Sequence, residues 1–358
     1  MYLTGKDVRQ KETFNLNWFF YLGEEEKTPG DKDTAGYRPV KLPHDWSLEY
    51  PFEEDAESCG SGGYVRTGIG WYKKIFRVNP DAVKDGRAVL HFEGAYMLAQ
   101  VWLNGQSLGR HVYGYTPFEW DITDLLKTDG SENVVDVKVD NSAQPNSRWY
   151  SGSGITRNVW ICGMKDIHVA PYGVWIRQPE VSEDQAQVHM ETRVCVKHRS
   201  GVSNGGTASE EQGEIIVETG IYAPDGSLCM QERTAQNAAD TGEELLFCQD
   251  FILKSPVLWD TENPALYKAV TKIYKDGLLL DEVCTVTGFR NVSFDSNRGF
   301  LLNGVRVKLN GVCIHHDGGC AGAAVHPQIW ERRLEKLKAM GVNAIRMSHN
   351  PPDPALLD

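Results

Sequence analysis

The sequence predicts a mainly β protein: a jelly-roll β-sandwich, then an immunoglobulin-like β-sandwich, then the start of an alternating α/β fold. Three observations predict this order. Apolar residues alternate along most of the chain, as they do in half-buried strands. The 35 glycines, 10 tryptophans and 14 tyrosines are typical of short strands and tight turns. After about residue 290 the apolar spacing changes to that of an amphipathic helix between two apolar runs.

The first predicted domain, residues 1–172, is the sandwich or jelly roll. In residues 133–140 the apolar side chains share one face, with Asp136 and Lys138 on the other. Another strand ends in Asn104-Gly105, a favoured two-residue hairpin turn. A helix would need apolar residues three and four apart, and this part of the sequence does not supply them.

The second predicted domain covers residues 173–290. It contains a long alternation whose apolar face is Val188, Met190, Thr192, Val194 and Val196. Turn residues such as Lys275-Asp276-Gly277 stand at strand ends. The spacing favours about seven short strands in an immunoglobulin-like sandwich. Ser200–Gly213, rich in serine and glycine, is predicted to be a surface loop.

The third predicted segment, residues 291–358, is a strand, a helix and a strand. Val305–Ile314 is a mostly apolar run, predicted to be a strand buried on both faces. An amphipathic helix begins at His326-Pro327 and ends before Gly341, a suitable C-terminal cap. Val342–Met347 is the second apolar run. Such a β-α-β unit places its two strands in parallel.

Charge and composition exclude several functional classes. Asp and Glu number 49 against 37 Lys and Arg, a net charge of −12, which disfavours nucleic acid as a partner. No apolar stretch approaches the ~20 residues of a membrane helix, and the N-terminus lacks the apolar core of a signal peptide. The 8 cysteines form no CxxC pair. We expect reduced, mostly buried thiols in a cytoplasmic protein, or a periplasmic one if a signal peptide has been removed.

Polar residues collect at the ends of the two strands of the third segment. The first strand ends in His315, His316 and Asp317, and the second runs into Arg346, Ser348, His349 and Asn350. Ligands of parallel α/β folds bind beyond the carboxyl ends of the strands, so these residues should share one surface. The set predicts polar recognition of a hydroxyl-rich ligand.

Three other interpretations of these residues are weaker. Two satisfied histidines could simply cap a strand end. A metal site of two histidines and Asp317 is disfavoured, because adjacent histidines on an extended chain point apart. A Ser348-His349-Asp317 triad lacks the glycine-flanked turn that exposes a serine nucleophile.

At these motifs the chain resembles the glycoside hydrolases of family 2, which include β-galactosidases, β-glucuronidases and β-mannosidases. The segments that carry the resemblance are Leu42–Trp46, Gly68–Tyr72, Ser147–Trp160, Leu258–Tyr267, Gly311–Asp317 and Asn343–Pro351. The resemblance implies a jelly roll, an immunoglobulin-like domain and a TIM barrel of eight βα units. It also implies a retaining mechanism in which one glutamate is the acid/base and another the nucleophile.

The resemblance also implies roles for individual residues. His315 and His349 would hydrogen-bond the sugar beside the scissile bond, and Arg346 would orient the nucleophile. Asp45, Trp149, Tyr150 and Arg157 would approach the barrel mouth, with the aromatic rings facing the sugar. A packed domain interface is the alternative for Trp149, Tyr150 and Arg157. The predicted sugar-binding set is Asp45, Trp149, Tyr150, Arg157, His315, His316, Asp317, His349 and Asn350.

Three departures from the family pattern limit these expectations. Cys313 stands where relatives often have asparagine, the residues around Arg148 lack an acidic stretch, and no Asn-Glu dipeptide occurs. We therefore expect no metal, no cofactor and neither catalytic glutamate in this chain.

The length sharpens the expected function. An eight-stranded barrel needs about 250 residues, far more than follow residue 290. We expect the N-terminal part of a β-galactosidase-type enzyme acting on an oligosaccharide or glycoside, inactive alone. A homodimer or homotetramer is the expected assembly. The alternative is a non-catalytic carbohydrate-binding protein made of the two sandwiches. Galactose, glucuronate and mannose remain open as the sugar.

Overall fold

A computed structural model describes residues 1–3, 8–80, 86–197, 213–237 and 244–358. The chain divides into two compact units. Most of the first unit is Gln10–Gly163 and Asn310–Asp358, and most of the second is Met164–Leu309. The predicted surface loop at 200–213 lies, except for its last residue, outside the described residues.

The first unit contains an antiparallel sandwich of two sheets. One sheet has six strands in the order β3-β2-β4-β9-β6-β7, and the other has four in the order β1-β10-β5-β8. Their bounds are β1 Gln10–Thr13, β2 Trp18–Leu22, β3 Arg38–Val40, β4 Gly68–Phe76, β5 Arg87–Phe92, β6 Ala99–Leu103, β7 Gln106–His111, β8 Phe118–Asp121, β9 Asn133–Asn141 and β10 Val159–Met164. A short helix, α1 (Cys59–Gly62), lies between β3 and β4. The predicted jelly-roll-type sandwich is confirmed.

The alternation in β9 explains the core of this sandwich. Its three valines at 135, 137 and 139 are fully buried between the sheets. The opposite face is covered as well, because Asp136 accepts hydrogen bonds from the Lys73 ammonium (2.7 Å) and from the Gly30 amide (2.7 Å). The predicted hairpin is confirmed: Leu103 pairs with Gln106 across Asn104 and Gly105, both at positive φ.

The second unit contains a sandwich of three plus four strands. The sheets run β11-β12-β15 and β14-β13-β16-β17. Their bounds are β11 Ile167–Arg177, β12 Gln185–Val196, β13 Glu214–Tyr222, β14 Leu228–Asn237, β15 Glu244–Lys254, β16 Tyr267–Lys275 and β17 Leu278–Thr287. Every second residue of β12 from Ala186 to Val196 is buried, as the alternation predicts. Seven described strands of this size confirm the immunoglobulin-like prediction.

The prediction of one strand over Val305–Ile314 is wrong. Three short strands, β18 (Val292–Asp295), β19 (Gly299–Leu302) and β20 (Val305–Arg306), form a small sheet in the second unit. Asn303 and Gly304 have positive φ, so the chain turns and β20 pairs back onto β19. Val305 is consequently exposed, and the next strand begins only at residue 311.

The β-α-β unit lies in the first unit with the jelly roll. It comprises β21 (Gly311–Ile314), α2 (Pro327–Ala339) and β22 (Ala344–Met347), followed by a short α3 (Pro354–Leu357). β21 and β22 are parallel, with Gly311 opposite Ala344, as predicted. They pack with the helices around a core of Ile314, Val325, Trp330 and Leu356.

Both ends of α2 are capped as the sequence indicates. His326 is the N-cap and accepts a hydrogen bond from the Gln328 amide. Gly341, at φ +85°, follows the C-cap. The Val342 amide bonds the Leu337 carbonyl at 3.0 Å, and the Gly341 amide bonds the Lys338 carbonyl at 2.9 Å. This pair is the Schellman motif, which satisfies carbonyls at the helix end.

None of the eight cysteines forms a disulfide, as predicted, but the expectation that most are buried is wrong. The exposed ones are Cys59, Cys229, Cys248, Cys284, Cys313 and Cys320. Cys248 shows the reason: it occupies an outward position of β15, between neighbours whose side chains point into the core. Across the described ranges, no helix is both long and apolar enough to span a bilayer.

Candidate functional site

Two imidazoles and one indole meet beyond the ends of the parallel strands. His315 directly follows β21, and His349 follows β22 by two residues, with ring centroids 5.2 Å apart. The Ser348 amide donates to the Ile314 carbonyl at 2.9 Å, which keeps the two strand ends side by side. Trp149, from the jelly roll, lies 6.3 Å from His315 and 5.5 Å from His349 between ring centroids. The strand-end argument therefore places these two histidines correctly.

The three rings line a cleft of about 660 Å³. That volume is within the usual range for small-molecule sites. The lining residues are Ser61, Pro145, Asn146, Ser147, Arg148, Trp149, His315 and His349. These described lining residues include no carboxylate and one fixed positive charge, that of Arg148.

The loop that carries Trp149 is held from several sides. The indole Nε1–H donates to the Tyr115 hydroxyl at 3.1 Å, and burial raises the pKa of Tyr115, which keeps that hydroxyl protonated at neutral pH. The Ser147 hydroxyl donates to the Trp149 carbonyl at 2.7 Å. The Asn146 amide donates to the side-chain oxygen of Asn141 at 2.6 Å. The ring therefore has a fixed position before any ligand binds.

Asp45, predicted to contact sugar, has all its acceptor positions occupied within the chain. One carboxylate oxygen accepts the amides of Ser47 and Ser153, each at 3.0 Å. The other accepts the Ala323 amide at 2.8 Å and the Tyr150 hydroxyl. Asp45 therefore joins the jelly roll to the segment after β21, and we do not propose it as a sugar ligand.

Tyr150 and Arg157 serve the same internal interface. Tyr150 donates its hydroxyl to Asp45, and burial raises the pKa of that hydroxyl. Arg157 is 1% exposed and donates to the carbonyls of Tyr115 (2.9 Å), Pro351 (2.7 Å) and Pro352 (3.1 Å). For these two residues the geometry favours the packed-interface alternative. Arg157 holds the chain just beyond His349 in place.

His316 and Asp317 point away from the cleft. The His316 Nε2–H donates to the Ala323 carbonyl at 3.0 Å, and its ring lies 5.7 Å from that of Trp330. Burial, with a smaller contribution from the Arg157 charge, lowers the pKa of His316 to about 3. The Asp317 carboxylate accepts the Gly319 amide at 2.7 Å. His315 alone of this triplet lines the cleft.

Asn350 and Arg346 are not among the described residues that line the cleft. The Asn350 side-chain oxygen accepts the Tyr113 hydroxyl at 2.9 Å. Arg346 is exposed, and its guanidinium donates to the Ser348 hydroxyl at 3.2 Å and approaches the Cys313 sulfur at 3.9 Å. Hydrogen bonds from Ser348 and Arg346 lower the pKa of the Cys313 thiol.

Sequence reasoning missed several cleft residues. Asn146 directly precedes the quoted jelly-roll motif Ser147–Trp160, and Arg148 lies within it, so their position beside Trp149 was a usable signal. Ser61 comes from α1, and no local pattern marks it. Tyr115, which does not line the cleft but bonds the Trp149 indole, lies between β7 and β8 and is equally unmarked. In the part of the chain that the structure describes, no three His, Cys, Asp or Glu side chains are grouped as metal ligands.

Three family models match the chain in order. They are described as the sugar binding domain (residues 48–168), glycosyl hydrolases family 2 (168–290) and the TIM barrel domain (295–358) of one family. The chain belongs to glycosyl hydrolases family 2.

Proteins from Bacteroides species are among its most similar relatives. The β-galactosidase BoGH2A of Bacteroides ovatus is 41% identical over 353 residues, which is 98% of this chain and 40% of that protein. A solved family 2 structure from Bacteroides cellulosilyticus has 35% identity and a TM-score of 0.88, over 97% of this chain and 44% of that one. A Bacteroides uniformis β-glucuronidase has 30% identity and a TM-score of 0.85, over 98% of this chain and 40% of that one. The chain thus spans less than half the length of these relatives.

Proposed function

We propose that this chain supplies sugar-binding residues to a retaining β-glycosidase of the β-galactosidase type, acting on terminal β-glycosides of oligosaccharides or conjugates. The observation that carries the proposal is the position of Trp149 opposite His315 and His349, beyond the carboxyl ends of two parallel barrel strands. Names of relatives, which include β-galactosidases and β-glucuronidases, agree with this substrate class.

The cleft suits a sugar ring chemically. An indole face packs against the apolar C–H face of a pyranose, and it does so at low entropic cost when the ring is already fixed. Each imidazole has one nitrogen that donates and one that accepts, so His315 and His349 can each bond a hydroxyl group. Arg346, exposed at the end of β22, has donors for a carboxylate nucleophile.

The same cleft lacks the groups that cleave a glycosidic bond. A retaining glycosidase needs two carboxyl groups about 5–5.5 Å apart. The described residues that line the cleft include no Asp or Glu. We therefore propose that the 358-residue chain binds a glycoside without hydrolysing it, and that both catalytic glutamates come from outside these residues.

Binding and hydrolysis are tested separately with the purified chain. Calorimetric titration with methyl β-D-galactoside should show saturable binding that Trp149→Ala and His349→Ala weaken. Trp175→Ala is the matched control, because Trp175 is also exposed but belongs to the other unit. Release of nitrophenol from an aryl β-galactoside should stay at background.

Two outcomes would contradict the proposal. Failure to bind any galactoside, glucuronide or mannoside would refute the sugar site, and turnover well above background would refute the lack of catalysis. A binder made only of the two sandwiches is not favoured, because both cleft histidines lie after residue 290.

Cellular location and assembly are also proposals. The lack of disulfides among the eight cysteines supports a reducing compartment such as the cytoplasm. The resemblance to family 2 supports a homodimer or homotetramer. Light scattering on the purified chain would measure its oligomeric state.

A further inference from the structure

A layer of polar side chains crosses the sandwich of the second unit. The strands β12, β13, β15 and β16 each contribute one side chain that faces the interior. The four residues are Thr192, Thr219, Gln249 and Thr271, and each is at most 3% exposed. We propose that this layer binds an internal water molecule, held between Gln249 and Thr192. The inference concerns the second unit alone and does not depend on the proposed sugar site.

The first support is that the layer divides the apolar core. In each of the four strands the polar residue stands between members of two separate apolar clusters. In β15, for example, Gln249 lies between Phe247 of one cluster and Phe251 of the other. Alternation alone would place apolar side chains at these inward positions, as it does at the neighbouring ones. The four exceptions therefore lie at one level of the sandwich and form one polar site.

The second support is that two buried polar atoms of this layer, Gln249 Oε1 and Thr192 Oγ1, have no hydrogen-bond partner among the described residues. The orientation of the Gln249 amide is fixed, because its Nε2 donates to the carbonyls of Val217 (3.2 Å) and Glu232 (3.4 Å). Turning the amide over would place its oxygen against two carbonyl oxygens. Because buried polar groups in folded proteins are almost always paired, the amide oxygen needs a donor from elsewhere.

Strand register brings the polar groups of each sheet together. Gln249 pairs with Met190, so Thr192 is its diagonal neighbour on the inner face of the same sheet. Diagonal neighbours lie roughly 7–8 Å apart, a gap that a short threonine side chain does not close. On the facing sheet Thr219 and Thr271 are directly opposite, with their hydroxyl oxygens 3.5 Å apart. That separation is longer than a normal O–H···O bond, so both hydroxyls can still bond a ligand.

Water is the ligand that fits these groups. The amide oxygen only accepts, whereas a threonine hydroxyl both donates and accepts, so the ligand must donate to one group and can bond the others in either sense. Buried water molecules do this, typically making about three hydrogen bonds to polar groups that are otherwise unpaired. A cation is disfavoured, because the four side chains of the layer carry no charge to balance it.

A crystal structure of the 358-residue chain, at a resolution that shows ordered water, tests the proposal directly. We expect density for one water oxygen about 2.8 Å from both Gln249 Oε1 and Thr192 Oγ1. Absence of that density in a well-ordered second unit would overturn the inference.

Hydrogen exchange measured by mass spectrometry on the whole chain tests the proposal in solution, because peptides of the second unit are followed separately from those of the first. Thr192→Val keeps the shape of the side chain and removes its hydroxyl. The amides of β12 and β15 should then exchange about fivefold faster, since the water loses one hydrogen bond. In a dry layer the same change removes an unpaired hydroxyl and slows exchange. Thr285→Val is the matched control, a half-buried threonine of β17 outside the layer, and should leave these rates unchanged.

Combining Thr192→Val with Gln249→Met tests whether both residues hold the same water. Gln249→Met also loses the bonds to Val217 and Glu232, but that loss is the same in the single and the double variant. If one water is shared, the double variant should exchange more slowly than the product of the two single effects implies. Single effects that multiply in full, or exchange in Thr192→Val that is unchanged or slower, would overturn the inference.

Discussion

Substitution of Asp45 distinguishes two roles for this residue: an internal hydrogen-bond acceptor that stabilises the fold, and a sugar ligand. Asp45→Ala removes the acceptor of four donors: the amides of Ser47, Ser153 and Ala323, and the Tyr150 hydroxyl. Asp45 is 7% exposed, so water has little access to the donors left behind. We expect a large loss of stability in the first unit.

The size of that loss follows from the count of donors. Leaving a buried donor without a partner costs about 1–3 kcal/mol, so four donors at the lower end give about 4 kcal/mol. Domains are stable by only about 5–15 kcal/mol, so this variant should be close to unfolding. Asp45→Asn keeps one acceptor oxygen and should lose less, about 2 kcal/mol.

Urea unfolding followed by tryptophan fluorescence measures this loss. The signal reports mainly on the first unit, because only Trp175 and Trp259 lie in the second. Asp129→Ala is the control: it removes an exposed acceptor from the Ser131 amide and should change the free energy of unfolding by about 0.5 kcal/mol. If Asp45→Asn were as stable as wild type but no longer bound galactoside, our assignment would be refuted and the sequence-based prediction of a sugar ligand supported.

Three further variants test other parts of the first unit. Gly341→Ala should lower the free energy of unfolding by about 1 kcal/mol, because φ is +85° there with no atom near the added methyl; thermal melting beside Ala339→Gly checks this. The pKa of His316 is about 3 in the folded chain and about 6.5 in the unfolded chain, so the unfolded state takes up a proton first as the pH falls. The free energy of unfolding should therefore decrease below about pH 6.5, by up to about 1.4 kcal/mol per pH unit. His316→Gln should flatten that pH dependence in urea titrations; an unchanged slope would contradict it. Arg157→Lys should weaken galactoside binding in calorimetry without touching the sugar, because one ammonium cannot hold three carbonyls as the guanidinium does; unchanged affinity would show that the loop after His349 needs no such support.

The fold was largely predictable because burial alternates strictly along its strands. In β12 every second side chain is buried, so hydrophobic period alone defines the strand and its inner face. The failure at Val305–Ile314 has an equally local cause. Because residues 305–314 are mostly apolar, the prediction overlooked the turn at Asn303-Gly304. That turn places Val305 in a solvent-exposed hairpin, and the barrel strand begins six residues later, at Gly311.

Site residues were predictable only where the parallel direction of two strands is enough to place their following side chains on the same surface. His315 and His349 follow parallel strands, so both reach the same surface. Opposite orientation of neighbours on an extended chain also explains why His316 faces Trp330 instead. Asp45 could not be assigned in this way, because three of its four donors lie far away in sequence and are brought near only by tertiary packing: the Ser153 amide, the Ala323 amide and the Tyr150 hydroxyl.

Two of the buried charged residues of the jelly roll, Asp45 and Arg157, bind the barrel segment that carries the cleft histidines. Both form hydrogen bonds with backbone groups of the barrel segment. Asp45 accepts from the Ala323 amide, and Arg157 donates to the Pro351 and Pro352 carbonyls. A buried charge that loses its partners is costly, so separating the sandwich from this segment is opposed at two points. Those points hold the chain after β21 and after β22, the two places from which His315 and His349 project. Trp149 can therefore meet both imidazoles only when the sandwich and the strand ends fold as one unit, so the sugar binding that we propose requires this interface.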